Sequence, residues 1–278
     1  MAEFTTGAGI GGVFNPALIS ATVQVAAEDA RVFRPLITDV PFDGPGKTLD
    51  ILKLGALTAG AYTEGSARSF SVPTNAAVTV TPSEVDLAMS FTDKEMKRAF
   101  MNLPMLYTPL IGSAVAQKMD ADIAAEYANA TGTATDEGDT AASVAKFLAA
   151  VAIVKAAAKN HGGVVNGVMH TSAWDDFILD DKVINASVRG AGSLLTGEIT
   201  LLGGVRVGFT TGITATGTPS KYQNMIFTPR ALALVMKSDI TVEAWDSRDN
   251  KAFRVAAGAD YDVATIQAGE VALYTVTV

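Results

Sequence analysis

The stretch VDLAMSFTDKEMKRAFMNLPMLYTPLIGSAVAQKMDADIAAEYANA, residues 85–130, decides the fold. Val85, Leu87, Met89 and Phe91 fall on every second position, with Glu84, Asp86, Ala88 and Ser90 around them. That is the period of a strand with one buried face. A charged break follows, Asp93-Lys94-Glu95-Met96-Lys97-Arg98, and the period then changes. Leu103, Tyr107, Ile111, Val115, Met119, Ile123 and Tyr127 recur every fourth residue. At 1.5 Å per residue, a helix over 103–130 is roughly 40 Å long, well above the usual three turns. A fourfold stripe drifts about 40° per step around a helix of 3.6 residues per turn, so it predicts burial on more than one side.

Composition narrows the class. At 278 residues the chain has ample length for one large domain or two modest ones. Hydrophobic residues make up 49% against 18% charged, with a mean hydropathy of +0.27. So apolar a balance implies surface buried against neighbours. No run of 18 or more apolar residues is present, so no membrane span is expected. The first residues, MAEFTTG, carry neither a basic nor an apolar leader region, which argues against secretion. There are no cysteines, hence no disulfide and no thiolate metal site. A net charge of −8 and a pI near 4.8 argue against a nucleic-acid reader, which needs a basic face.

Outward from the deciding stretch, residues 1–45 begin with Gly7, Gly9, Gly11 and Gly12, then carry a short helical patch. Its apolar residues are Leu18, Val23, Val25 and Val32, with Pro16, Pro35 and Pro41 as breaks. Such a segment buries too little alone to offset its ordering entropy, so an extended arm is expected. A hairpin follows, with residues 49–54 as one limb and 77–91, interrupted by Pro82, as the other. Its connection over 55–75 is rich in Gly, Ala, Ser and Thr, and loops this long are uncommon unless functional or disordered. It reads either as a plain surface loop or as a projecting arm that docks on a neighbouring subunit.

After the long helix, residues 131–139 read as a polar loop. A second helix is expected over 143–160, with Val144, Phe147, Leu148, Val151, Val154 and Ala158 at helical spacing and Gly162-Gly163 at its end. Residues 164–169 read as a buried strand, and Ser172-Ala173-Trp174-Asp175 resembles a capping box ahead of Phe177 and Ile178. Residues 201–208 form a glycine hairpin, and 225–227 and 232–236 short strands around Pro229. The end reads as strands over 240–245, 252–255, 263–266 and 271–278, the first pair joined by the turn 246–250. No internal repeat or linker divides the chain, and the class is α+β.

The search for chemistry finds no site. His161 and His170 sit at a helix end and a strand end, with no paired-histidine spacing, and read as structural. Asp120 and Asp122 point in different directions on a helix. Asp122 and Glu126 share a face, but Lys118 one turn earlier marks it as solvated or as a subunit contact. Asp136, Glu137 and Asp139 lack the pattern of a calcium loop. The Gly-Gly pairs at 162–163 and 203–204 are not phosphate loops, and Ser66, Ser69 and Ser71 have no activating base or nucleophile elbow. No catalytic residue, cofactor or metal is therefore assigned.

The order of parts resembles the major capsid proteins of tailed phages, the Hong Kong 97-type fold. Residues 61–66 (AYTEGS) followed by 78–82 (VTVTP) are similar to that family's extended loop returning to the body. Residues 90–95 (SFTDKE) resemble the start of its spine helix, and 203–207 (GGVRV) its axial sheet. Residues 245–250 (WDSRDN) with 252–255 (AFRV) resemble the strand pair of its peripheral domain. The resemblance covers nearly the whole chain through the order of its parts.

The resemblance implies an N-terminal arm at 1–45 and an extended hairpin loop at 46–92. It implies a peripheral domain of spine helix and strands at 93–135 and 238–268, and a central axial α/β domain at 136–237 and 269–278. It implies a non-enzymatic structural subunit that assembles with itself, as pentamers and hexamers, into an icosahedral shell. That shell would be part of the virion, built in the host cytoplasm, enclosing double-stranded DNA without sequence-specific binding. Scaffold, portal or decoration proteins are the further partners implied, and no membrane. Residues expected at subunit contacts are Tyr62, Glu64, Arg68, Lys94, Lys97, Arg98, Asp246, Arg248 and Asp249. The long scaffolding segment of some members has no counterpart in the short arm, so a scaffold is separate, removed or absent. Some relatives cross-link through a Lys and an Asn; Lys47, Lys53 and Asn250 do not match that motif. The alternatives are an encapsulin-type nanocompartment subunit, sharing the architecture around protein cargo, and a soluble enzyme with an unrecognised site.

Overall fold

The computed structural model describes residues 16–53, 60–61, 63–65, 76–99, 103–133, 142–158, 164–173, 176, 201–202, 205–216, 221–247 and 249–277. In chain order the elements are α1 (Pro16–Ala30), β1 (Thr38–Pro41), β2 (Leu49–Lys53), β3 (Ala76–Val80), β4 (Ser83–Thr92), α2 (Asp93–Arg98) and α3 (Leu103–Ala125). Then come β5 (Gly132–Thr133), α4 (Val144–Ala157), β6 (Asn166–His170), β7 (Leu201–Leu202), β8 (Val205–Thr210) and β9 (Ala215–Thr216). The last are β10 (Lys221–Phe227), β11 (Leu232–Ser247), β12 (Ala252–Thr265) and β13 (Val271–Thr277).

The deciding stretch folds as its periods require. β4 runs straight into α2 and α3, and α3 is continued by a 3-10 turn over Glu126–Asn129. Ile111, Val115, Met119 and Ile123 are buried, while Leu103, Tyr107 and Tyr127 at the ends of the stripe are half-buried. The drift of the stripe is met by a second buried row, Pro104, Thr108, Gly112, Ala116, Asp120 and Ala124. Together the rows make one broad buried band, whereas Met105, Leu106 and Leu110 on the far side are exposed.

A four-stranded sheet in the order β1-β11-β12-β4 lies under α3. β11 and β12 are antiparallel, as are β12 and β4, and β1 joins β11 in parallel. The second sheet runs β5-β13-β10-β6-β8-β7, with β9 on β10, and α4 packs on it through Phe147, Val151 and Val154. The larger core joins both layers: Val168, Met225 and Phe227 of the second sheet lie in one cluster with Ile111, Met119 and Val255. β2 and β3 form the two-stranded hairpin. Its second limb stops at Val80, and β4 leaves to pair with β12.

Several sequence expectations are corrected. The charged break at 93–98 is the helix α2, too short to show a period but carrying a capping box. The segment expected to be an arm is, from Pro16 on, part of the body. Ile19, Val23 and Ala27 of α1 are buried against α3, and β1 extends the four-stranded sheet. Val25, read as one of its apolar contacts, is 60% exposed. The polar loop at 131–139 begins with β5, which pairs in parallel with β13. The short strands read at 232–236 and 240–245 are one strand, β11, whose register shifts around Ser238 absorb the polar interruption. Those read at 252–255 and 263–266 are likewise one strand, β12. Its middle, AAGADYD, looks too weak for a strand, yet Ala257, Ala259 and Tyr261 face the core beneath α3. β11 of the four-stranded sheet therefore starts at Leu232, earlier than 238.

Candidate functional site

The charged residues expected at contacts gather at one end of the four-stranded sheet. Thr92 starts α2 with a reciprocal cap: its hydroxyl accepts from the Glu95 N–H (3.3 Å), and its own N–H donates to Glu95 Oε2 (3.0 Å). These bonds from Thr92 hold the Glu95 carboxyl below its ordinary value. With Glu95 so engaged, Lys94, Lys97 and Arg98 share one side of the helix at spacings of three and four. The Asp93 N–H donates to the Lys251 carbonyl (2.8 Å), fastening α2 to the β11–β12 turn. Lys251 holds a left-handed φ of 45°, and the Asn250 side chain donates to Ser247 Oγ (3.3 Å).

The result is an open cleft of about 910 Å³ lined by Thr92, Asp93, Lys94, Lys97, Arg98, Asp246, Asn250 and Lys251. Four cations face two carboxylates there, and among the described residues none of these side chains forms an ion pair. Asp249 lies exposed in the same turn. Glu64 is apart from this group, exposed at the hairpin beside Gly65, whose φ is +84°. Tyr62, Arg68 and Arg248 lie outside the described residues, as do the loop carrying Asp136, Glu137 and Asp139, Ser66, Ser69, Ser71, His161, Gly162-Gly163, Gly203-Gly204, and Trp174, Asp175, Phe177 and Ile178. Lys251 was missed in the sequence, although the alternating charges of the turn Asp246-Ser247-Arg248-Asp249-Asn250-Lys251 signal it.

A second set of charges is internal. Arg31 donates to Asp239 (2.8 Å), and Arg34 to both Asp239 and Asp39 (2.9 Å each), tying α1, β1 and β11 together. Burial works to raise the Asp239 carboxyl, but bonds from Arg31, the Ile240 N–H and Arg34 outweigh it and leave it below its ordinary value. Beneath them Asp120, 2% exposed, accepts from the N–H groups of Val32 (2.8 Å) and Phe33 (3.4 Å). Burial pushes its carboxyl up to about 6, against the opposing pull of those amides and of Arg31. Lys118 pairs with Asp122, but the face expected to be solvated or a subunit contact is tied within the chain, Asp122 also accepting from Tyr261 (2.8 Å). Glu126 accepts from Thr265 (2.7 Å), so this face of α3 clamps β12. No local motif marks these long-range pairs.

Among the described residues these groups serve packing and hydrogen bonding. His170 stacks on Tyr222 with ring centres 3.5 Å apart and bonds Ser172 through Nδ1 (2.9 Å). Burial lowers its proton affinity, and it reads as a structural histidine. Among the described residues no group of three or more His, Asp or Glu is placed to hold a metal ion. Nor is any described helix long and apolar enough to cross a membrane.

Comparison of the sequence with models of known protein families, and with curated proteins, finds no match. The fold does match solved structures. A chain of Mycobacterium phage Che8 superposes with a TM-score of 0.70 at 21% identity, covering 87% of this chain and 90% of that one. The capsid chain of a native gene transfer agent particle gives 0.64 at 15% identity, over 100% of both chains. A virus-like particle from Pyrococcus furiosus gives 0.62 at 8% identity, over 92% of this chain and 97% of that one. Other likenesses are to phage capsids. The chain has the mixed α+β fold of these shell subunits, as the tailed-phage resemblance implied.

Proposed function

We propose that this chain is the major shell subunit of a tailed-phage head, which assembles with itself into an icosahedral shell around double-stranded DNA. The observation that carries the reading is likeness over nearly the full length to shell subunits at 8–21% identity. Sequence has drifted while the tile shape has been kept, which suits a protein whose activity is its shape. In this reading β4, α3, β11 and β12 are the core of the peripheral domain, and α4 with the second sheet the axial domain. The hairpin and its connection over 46–92 reach a neighbour, and of the arm expected at 1–45, residues 1–15 lie outside the described residues. Subunit contacts fall to Tyr62, Glu64 and Arg68 on the hairpin, and to Lys94, Lys97, Arg98, Asp246, Arg248 and Asp249 at the sheet end. The subunit is non-enzymatic, forms pentamers and hexamers, is made in the host cytoplasm and ends in the virion. Scaffold, portal and decoration proteins are its further partners.

The likeness to the Pyrococcus furiosus virus-like particle favours a second reading, an encapsulin-type compartment around protein cargo. Electron microscopy of the purified protein tests both: closed shells of uniform diameter are expected, and protein that never forms them overturns both. Nuclease-protected DNA inside particles from the producing cell supports the first reading. Protein cargo in its place supports the second.

A further inference from the structure

We propose that the cationic cleft at the α2 end of the four-stranded sheet receives the acidic outer face of the same sheet in a second copy of this chain. The shell-subunit reading supplies the second copy, and the inference rests on it to that extent. One face of the sheet is the core: Met89 pairs with Val255, and Val85 with Ala259, beneath α3. The register then fixes what lies on the other face. Glu84 stands opposite Asp260, Asp86 opposite Gly258 and Thr241, and Glu243 opposite Ala256 and Ala88. Glu84, Asp86, Thr241 and Glu243 are exposed, and Trp245 on the same face is 40% exposed.

This face holds an uncompensated charge. Like charges directly opposite each other on neighbouring strands are destabilising, and Glu84 faces Asp260 in that way. Asp260 Oδ1 is moreover buried without a hydrogen-bond partner. Arg254, at the other end of the face, pairs in register with Ser90 and Trp245, diagonal to Glu243 but away from Glu84, Asp86 and Asp260. For Glu84, Asp86 and Asp260 the cleft cations are no remedy within one subunit. From Glu84 to Thr92 the strand runs about 25 Å at 3.3 Å per residue, three times the roughly 8 Å screening length of physiological salt. Glu84, Asp86 and Asp260 at one end and cations that, among the described residues, form no ion pair at the other fit each other between copies.

The geometry also sets the kind of contact. Two different patches are used, so the contact is head-to-tail, and such contacts close into rings or, where the rotation does not close, run on as filaments. In a chain of net charge −8, copies repel one another in general. A local excess of cations at one sheet end then selects which surfaces meet, and the exposed Trp245 offers apolar area within the contact.

Because the natural chain has no cysteine, introduced ones read the contact directly. The full-length variant carrying both K97C and D86C is treated with a short bis-maleimide. A ladder of dimers, trimers and larger chains is expected, whereas either single variant stops at dimers. A ladder no stronger than that of a Q117C and D86C control overturns the contact. In parallel, K97E with R98E is expected to lower the assembled fraction roughly tenfold, the equivalent of about 1.4 kcal/mol. Adding E84K and D86K to the same chain is expected to restore assembly, with circular dichroism checking that each variant is folded. Folded charge-reversed chains that assemble like the wild type overturn the contact and leave the shell reading standing. A wild type that forms no particles overturns the shell reading, and the ladder still decides the contact.

Discussion

Asp120→Asn isolates the one buried carboxylate beneath the α1–α3 junction. Asp120 is almost fully enclosed and holds the N–H groups of Val32 and Phe33. Its carboxyl binds a proton more tightly folded than unfolded, about 6 against an ordinary 3.8. At about 1.4 kcal/mol per tenfold change in proton affinity, the difference is worth about 3 kcal/mol. The sign follows from linkage: the folded state keeps the proton over a range where the unfolded state has lost it, so stability falls as pH rises. The contribution is fully present below about 3.8 and lost once the pH has passed about 6. Roughly 1.3 kcal/mol of it disappears between pH 5 and pH 7.

Asparagine cannot ionise and keeps one of the two acceptor oxygens, so its carbonyl serves Val32 or Phe33 while its amide nitrogen replaces the oxygen that served the other. Urea unfolding of both proteins at half-unit steps from pH 4.5 to 8 gives the difference in stability, in which the other titrating groups largely cancel. The variant is expected to gain on the wild type by roughly 1.3 kcal/mol between pH 5 and pH 7, whatever its offset from an unpaired amide nitrogen. A difference that stays level across that range would refute the claim that burial dominates this site. One that runs the other way would show that Arg31 and the two amides hold the carboxylate charged.

Four further outcomes follow from the packing and the charge. Ile111→Ala and Val115→Ala should each cost about 1–4 kcal/mol through lost burial and a cavity, while Gln117→Ala on the exposed side should stay within about 0.5 kcal/mol; equal melting temperatures would mean the buried band is misassigned. Gly112→Ala puts a methyl 2.4 Å from the Val23 carbonyl oxygen and 2.9 Å from its Cγ1, so a loss of about 1–3 kcal/mol is expected; an unchanged urea midpoint would show that α1 does not seat there. Deleting residues 61–71 should leave a folded subunit, judged by circular dichroism, that fails to close shells; normal shells would remove the hairpin connection from the contacts. The free subunit should bind duplex DNA more weakly than the roughly 10⁻⁴ to 10⁻⁶ M of non-specific binders at about 150 mM salt, because a net charge of −8 gains little from counterion release; a micromolar titration with a steep salt slope would reveal a basic face.

What the sequence makes legible depends on how far apart the interacting residues lie. β4 and α3 are readable because each carries its own period over a long window, and tertiary packing only selects among positions already apolar. α2, read as a charged break, is missed although Thr92 and Glu95 stand at capping-box spacing, a signal that needs no period. The helical patch of α1 is readable, but its packing into the body is not, because its seat is made by Gly112 on another helix and its buried row includes the weak residue Ala27. β12 fails for the same reason. Close approach of α3 requires the small residues Ala257 and Ala259, which lower the strand signal where the packing is tightest.

The charged surfaces divide in the same way. Lys94, Lys97 and Arg98 stand out locally, and so does the turn after Asp246. That they share one cleft follows only from the pairing of Thr92 with Ala252 and of Ala252 with Ser247. The acidic face has no local signature at all, since Glu84 meets Asp260 only through the register of β4 on β12. A sheet face alternates with its buried face by necessity, so the register that buries Val255 and Ala257 also lines up Glu84, Asp86 and Asp260 on the outside. Core packing thus decides which charges become neighbours. A one-residue slip of β4 would undo the core and the outer charge pattern together, so the two cannot vary independently.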